Sequence, residues 1–197
     1  MYIPRQFALS DQETEAALAL AGFAHLVTHD PSGLMVTPLP LLYDKARHSL
    51  IGHVSRANPH WHSDGGESVA IFSGPQAYIS PGFYATKAET GKVVPTWNYL
   101  TVQVRGTLEF FDDAERLRDM VSDLTRAHEA ARPQPWAVSD APSGYIDTML
   151  RAIVGMELKI TALEGKYKLS QNRDAADREG VRAGLAAENP AIAKHMP

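Results

Sequence analysis

The chain has 197 residues with 19 basic and 23 acidic side chains, a formal charge of −4, so it lacks the overall positive field that a nucleic-acid backbone attracts. It contains no cysteine, which excludes disulfides, thiolate catalysis and zinc–cysteine sites and agrees with a reducing cytosol. The opening Met1-Tyr-Ile-Pro-Arg-Gln-Phe7 has no signal-peptide core and no segment approaches the ~18 apolar residues of a membrane span, so a cytoplasmic protein with no membrane partner is expected.

The first element is a helix. Ser10 and Glu13 stand at capping-box spacing, Ala and Leu fill positions 16 to 21, and Gly22 stops it. Strands at Phe23 to His29 and Leu34 to Tyr43 flank the turn residues Asp30-Pro-Ser-Gly33 and should form a hairpin. Pro38 and Pro40 remove ladder donors from the second strand, which places it at an edge, bulges it, or frees its backbone for a ligand. A third strand is expected over Ser49 to Val54. A fourth runs over Ser68 to Phe72 and Gln76 to Ser80, interrupted at Ser73-Gly74-Pro75.

The longest alternation runs from Trp97 to Phe111, with Leu100, Val102, Val104, Leu108 and Phe110 on one face together with Asn98 and Gly106. Val154 to Ala162 repeats it. Between them a helix is expected from about Ala114 to His128, begun by Asp112 and Glu115, with Leu117, Met120, Val121 and Leu124 on one stripe. A proline-broken stretch, Arg132 to Pro142, leads to a shorter helix near Tyr145 to Ala152. The tail from Asp174 to Glu188 is moderately helical, weakened by Gly180 and Gly184 and ended by Pro190. Short loops between antiparallel strands, with few helices, predict a closed barrel of mainly β, α+β class rather than a doubly wound sheet. One domain over 1–197 is expected, with a helical C-terminal tail from about 174.

Two stretches carry chemistry. At the end of the third strand, Ile51, His53 and Ser55 share a face. Arg56 follows, offering a permanently charged fork of donors that matches phosphate oxygens. Asn58 before Pro59 suits the cap of a short helix or turn, whose free amides face an anion. The same residues serve equally as an exposed hairpin end, and the pattern alone does not choose. The second stretch, Val94-Pro-Thr-Trp-Asn-Tyr99, heads the long strand; Trp97 with Thr96 and Asn98 has the aromatic wall and rim groups that a flat conjugated ring needs. Packing at a barrel mouth or between subunits accounts for Trp97 and Tyr99 as well. His60-Trp-His62 with His53 has no acidic partner at recognised metal spacing, so no metal is expected. Ser73 does not lie in a nucleophile elbow. His25, His29 and His128 are expected at the surface.

Together, Gly52-His-Val-Ser-Arg-Ala-Asn-Pro-His-Trp61, Val69-Ala-Ile-Phe-Ser-Gly-Pro-Gln-Ala-Tyr-Ile-Ser-Pro81, Val94-Pro-Thr-Trp-Asn-Tyr99 and Lys166-Tyr-Lys-Leu-Ser-Gln-Asn172 resemble the PaiB-type FMN-binding negative transcriptional regulators. The similarity runs from Met1-Tyr-Ile-Pro4 to the helix after Asn172. That family resembles the split-barrel flavoproteins, including pyridoxamine phosphate oxidases and flavin reductases. The resemblance implies an FMN-binding split β-barrel with flanking helices and a homodimer with FMN between subunits. Ser55 and Arg56 match the Ser-Arg that grips the FMN phosphate, with His53 on the same strand. Thr37 and Pro38 fall where split barrels pass backbone along the isoalloxazine ring, which Trp97 and Asn98 would also approach. Lys168 and Gln171 match the late Lys-Leu-Ser-Gln-Asn motif, which binds flavin or braces the fold. The oxidases place a Lys directly after Ser-Arg, whereas this chain has Ala57, so its phosphate loop holds one cation fewer. Two functions follow: a flavin-binding repressor, with DNA as a partner implied by the resemblance alone, or an FMN-dependent oxidoreductase without DNA binding.

Overall fold

The computed structural model describes residues 1–31, 33–63 and 66–197. Contacts divide the chain into two compact units, a smaller one of residues 1–15, 73–102 and 164–197 and a larger one of 16–72 and 103–163. The elements in order are α1 (Asp11–Leu20), β1 (Phe23–Asp30), β2 (Gly33–Pro40), β3 (Leu42–Asp44), β4 (Ser49–Ser55), β5 (Glu67–Ile79), α2 (Thr86–Thr90), β6 (Thr96–Phe111), α3 (Ala114–Glu129), α4 (Ser143–Arg151), β7 (Ile153–Lys168), α5 (Ala175–Glu188) and α6 (Pro190–Ala193). Among the described residues, no helix is long and apolar enough to cross a membrane.

The larger unit is built on a seven-stranded antiparallel sheet of order β2-β1-β5-β6-β7-β4-β3. Three of its strands, β5, β6 and β7, run on in sequence into the smaller unit. Along β6 every second side chain from Asn98 to Leu108 is buried, as the alternation predicts. Near the two ends of the strand order, β4 comes against the chain that follows β2. A Cβ on Gly52 would lie 2.8 Å from Pro40 O and 2.7 Å from Leu41 Cδ2, so only glycine lets these strands approach. α3 begins with the Asp113 carboxylate accepting from Arg116 N at 2.8 Å. Its Leu117, Met120 and Leu124 pack with Ile146 and Leu150 of α4 and with Ile51 of β4. Arg116 lies over the Phe111 ring at 3.7 Å and donates to Glu109 and Glu157, so the buried Glu157 is charge-paired.

In the smaller unit, Val181 and Leu185 of α5 join Ile79, Tyr84, Leu100, Leu169 and Ile192 in a core. The glycines expected to weaken this helix let it dock: a Cβ on Gly180 would lie 2.0 Å from Phe83 O, and one on Gly184 would lie 2.5 Å from the Phe83 ring.

Most expected elements are present, with α1 closed by reciprocal bonds between Ser10 and Glu13. Four details differ. The strand expected over Leu34 to Tyr43 breaks at Leu41 into β2 and β3, because Leu41 N turns to Gly22 O. β5 runs unbroken through Ser73-Gly74-Pro75. Its pairing with β1 covers only Ser68 to Ile71, so Pro75 costs that ladder nothing, and Gly74 admits Leu100 Cβ, which would stand 2.9 Å from an added Cβ. The cap of α3 is Asp113 rather than Asp112. β7 extends six residues past Ala162 to Lys168. The turn expected at 30–33 includes Ser32, outside the described residues; β1 and β2 pair from Asp30↔Gly33 to Phe23↔Pro40.

Gly52→Ala should destabilise the protein by about 1–3 kcal/mol, the usual cost of overpacking. Asp113→Ala should cost about 1 kcal/mol through the lost cap, while Asp112→Ala leaves α3 intact. Urea midpoints for the three variants check this, and equal effects at 112 and 113 would reassign the cap.

Candidate functional site

A buried polar chain organises the turn after β4. His60 is fully buried, and its Nδ1 and Nε2 lie 2.8 Å from Thr37 Oγ1 and 2.8 Å from Thr28 Oγ1. Thr28 continues to Ser68 Oγ at 2.6 Å. Asn58 caps the short 3₁₀ turn Pro59–His62 by accepting from His60 N at 3.0 Å, and its Nδ2 donates to Thr37 Oγ1 at 3.2 Å. The expected cap and the expected β2 residue therefore meet through His60, whose burial between two strands no local pattern predicts. Both His60 nitrogens are engaged, which removes it from any metal site. His25, His29 and His128 are exposed as expected.

Arg56 is held at the start of β7. Its backbone N–H donates to Ala152 O at 2.8 Å. Its Nε donates to Arg151 O at 2.9 Å and its Nη2 to Ile153 O at 3.1 Å, while Nη1 faces Asp112 Oδ2 at 3.5 Å. Trp61 donates its indole N–H to Arg56 O at 2.9 Å. Ser55 is exposed, and its oxygen accepts from Ala57 N at 3.3 Å. A cavity of about 200 Å³ lined by Arg56, Trp61, Phe110, Phe111, Asp112 and Val154 opens here. A second, of about 610 Å³, reaches from Arg56 and Asp112 to Leu117, Asp147, Leu150 and Arg151. His53 is half-buried opposite Gly155 of β7, and its Nδ1 is buried with no hydrogen-bond partner among the described residues. Pro38 is exposed on β2, the first strand of the sheet order, so its missing N–H leaves no gap in an inner ladder.

The remaining candidates belong to the smaller unit. Lys168 Nζ donates to Thr96 Oγ1 at 2.5 Å and to Trp97 O at 2.5 Å. Burial, then the Lys166 and Arg173 charges, push the Lys168 ammonium below its ordinary pKa. Trp97 is 53% exposed, with Tyr78 edge-on to its ring at 6.0 Å between centroids. Asn98 is fully buried and donates to Ser170 Oγ at 3.0 Å and to Met196 Sδ. Gln171 folds back on its own turn, donating to Tyr167 O at 2.6 Å and accepting from Leu169 N at 2.7 Å. Lys168 thus holds the Trp97 segment, while the Asn98 and Gln171 side chains tie local backbone and core.

The model of the family described as "Putative FMN-binding domain" matches residues 1–162. The chain belongs to this family. FMN is the cofactor that membership assigns. The protease synthase and sporulation protein PAI 2 of Bacillus subtilis is 30% identical over 201 residues, covering 100% of this chain and 94% of that protein, which secures the PaiB-type kinship. An uncharacterized protein of Aspergillus fumigatus is 43% identical over 135 residues, 60% of this chain and 52% of that one. The chain spans about half the length of that protein and of an uncharacterized protein of Emericella nidulans. Among solved structures, the flavocytochrome Anf3 of Azotobacter vinelandii superposes with a TM-score of 0.57 at 20% identity, over 90% of this chain and 78% of that one. The fold is the split barrel of α+β class.

The donor set at the end of β4 fits the phosphate end of FMN. The Ser55 hydroxyl keeps its proton to donate, and Arg56 keeps N–H groups beyond those given to the two carbonyls. The orphaned His53 Nδ1 lies on the same strand face. Ala57 supplies no cation, as the FMN-binding chain's sequence implies.

Burial holds the His53 and His60 imidazoles below the ordinary value of 6.5, with Asp30 partly opposing this at His60. The unfolded chain therefore binds their protons more tightly, and their contribution to stability is present above pH 6.5 and lost as the pH falls below it. Unfolding free energy should drop from pH 7 towards pH 5, and His60→Gln should remove part of that slope. An unchanged slope in the variant would mean that His60 titrates normally.

Proposed function

We propose that the chain is a PaiB-type FMN-binding regulator that holds FMN as a homodimer, the phosphate at Ser55 and Arg56. The full-length kinship with the Bacillus protein named for protease synthesis and sporulation carries this reading. Bound flavin supplies redox chemistry. The chain's own residues supply binding and orientation. Ser55 and Arg56 take the phosphate, with Asn58 and His60 fixing their turn. Thr37 and Pro38 present the edge backbone of β2 to the ring. Within the smaller unit, Lys168 steadies the backbone of the exposed aromatic Trp97, and Asn98 and Gln171 brace that segment from within.

A homodimer is supported by β2 itself. Leu34, Val36, Pro38 and Pro40 alternate along this strand and all are exposed. An apolar stripe on an edge strand invites a covering partner, and a second copy meets the family's need for flavin between subunits.

A second reading, an FMN-dependent oxidoreductase without DNA binding, is favoured by the surface charges. The arginines of α3 are matched by acids: Arg116 by Glu109 and Glu157, Arg118 by Asp147, and Arg126 by Asp123. A phosphate that approaches this helix therefore meets carboxylates as well as cations, which lowers the field a recognition helix presents.

Thermal unfolding with FMN at ~100 times its dissociation constant should show stabilisation of about 2.7 kcal/mol. Arg56→Ala should weaken binding by ~1.5–3 kcal/mol, and unchanged affinity would place the phosphate elsewhere. Salt-dependent DNA retardation supports the regulator, whereas NAD(P)H-driven flavin turnover without DNA retardation supports the oxidoreductase. Val36→Asp should convert a dimer to a monomer by light scattering; a variant that stays dimeric would remove β2 from the interface.

A further inference from the structure

Arg56 is fastened on two sides and open on the third. Nε and Nη2 are given to the carbonyls of Arg151 and Ile153, which fixes the guanidinium plane and leaves Nη1 as its outward corner. The group at that corner is Asp112 Oδ2, 3.5 Å away. Asp112 has no structural duty in the neighbouring helix, because Asp113 caps α3. The ion pair lies in water, with the Arg56 side chain 39% and the Asp112 side chain 71% exposed, so it is weak and exchangeable. Both cavities beside β4 share Arg56 and Asp112 in their walls, so an anion entering either one meets this carboxylate as well as the cation.

We propose that Asp112 is the counter-ion that a flavin phosphate displaces from Arg56, and that it sets the affinity of the site for phosphate-bearing flavin. The proposal rests on the reading that FMN binds with its phosphate at Arg56. A phosphate monoester carries up to two negative charges near neutral pH. To reach Nη1 it breaks the Arg56–Asp112 pair and then stands beside an unpaired carboxylate. Both costs fall on FMN and neither falls on riboflavin, which has the same ring and no phosphate. With Ala57 in place of a second cation, the net local charge that greets the phosphate is close to zero.

The test is a fluorescence titration of FMN and of riboflavin into the full chain and its variants at fixed ionic strength. Asp112→Asn should bind FMN roughly 2–5-fold more tightly, the upper part of the range of a surface ion pair, and leave riboflavin binding unchanged. Asp113→Asn removes a charge one residue away and retains a good cap, so it should leave the FMN affinity near the parent value. In an Arg56→Ala background, Asp112→Asn should give no selective gain for FMN beyond plain charge removal, the signature of coupling between the two. Weaker or unchanged FMN binding in Asp112→Asn overturns the proposal, as does an equal gain for riboflavin or for Asp113→Asn. A parent protein that binds no FMN overturns the functional reading itself, and this proposal with it; parent binding with an inert Asp112→Asn overturns this proposal alone.

Discussion

Burial of the His60 imidazole between Thr28 and Thr37 is the constraint on which the region around β4 depends. A fully buried imidazole must have both nitrogens satisfied, and here each finds a threonine hydroxyl at 2.8 Å on a different strand. The turn that carries His60 is thereby pinned to β1 and β2. Asn58, bonded to both His60 N and Thr37, passes the constraint back to the exit of β4. The place where Ser55 and Arg56 emerge is set by groups that never approach the surface. The cost of the device is paid in protonation: an imidazole so enclosed is held neutral, and acid undermines it.

A second set of contacts fixes what the exposed residues face. Arg56 is clamped by carbonyls at the α4–β7 junction, so its orientation follows from where α4 ends. α4 is itself held against α3 by Ile146, Leu150 and Leu117. The guanidinium that reads as a free fork is half committed, and its open corner is contested by Asp112. On the proposed placement of the phosphate, this contest and the Ala57 beside it leave the cation weaker than a Ser-Arg pair alone implies.

Glycine serves packing at several points where its effect on chain entropy would suggest weakness. Gly52 admits the strand that closes on β4, Gly74 lets β5 pass Leu100, and Gly180 with Gly184 seats α5 on Phe83. In each case a Cβ built on the glycine would stand closer to a neighbour than van der Waals distance allows. The interruption expected in β5 and the weak points expected in α5 are therefore contact points, and both elements are continuous.

Local patterns determined a great deal of this protein. Period-two alternation located β6 and the first part of β7, turn residues located the β1–β2 hairpin, prolines left β2 as an edge, a bulged strand or a backbone open to a ligand, and Ser10 with Glu13 marked the start of α1. Family motifs named FMN. These signals are legible because strand faces, caps and turns depend on residues close in sequence. What tertiary structure alone decided was partnership: that His60 joins Thr28 and Thr37, that Arg56 gives two donors to carbonyls nearly a hundred residues away, that Asp113 and not Asp112 caps α3, and that Asn98, already on the inward face, bonds Ser170 and Met196. Each depends on which strands and helices lie side by side, and a side chain with several equally good hydrogen-bonding options takes whichever one packing brings within 3 Å.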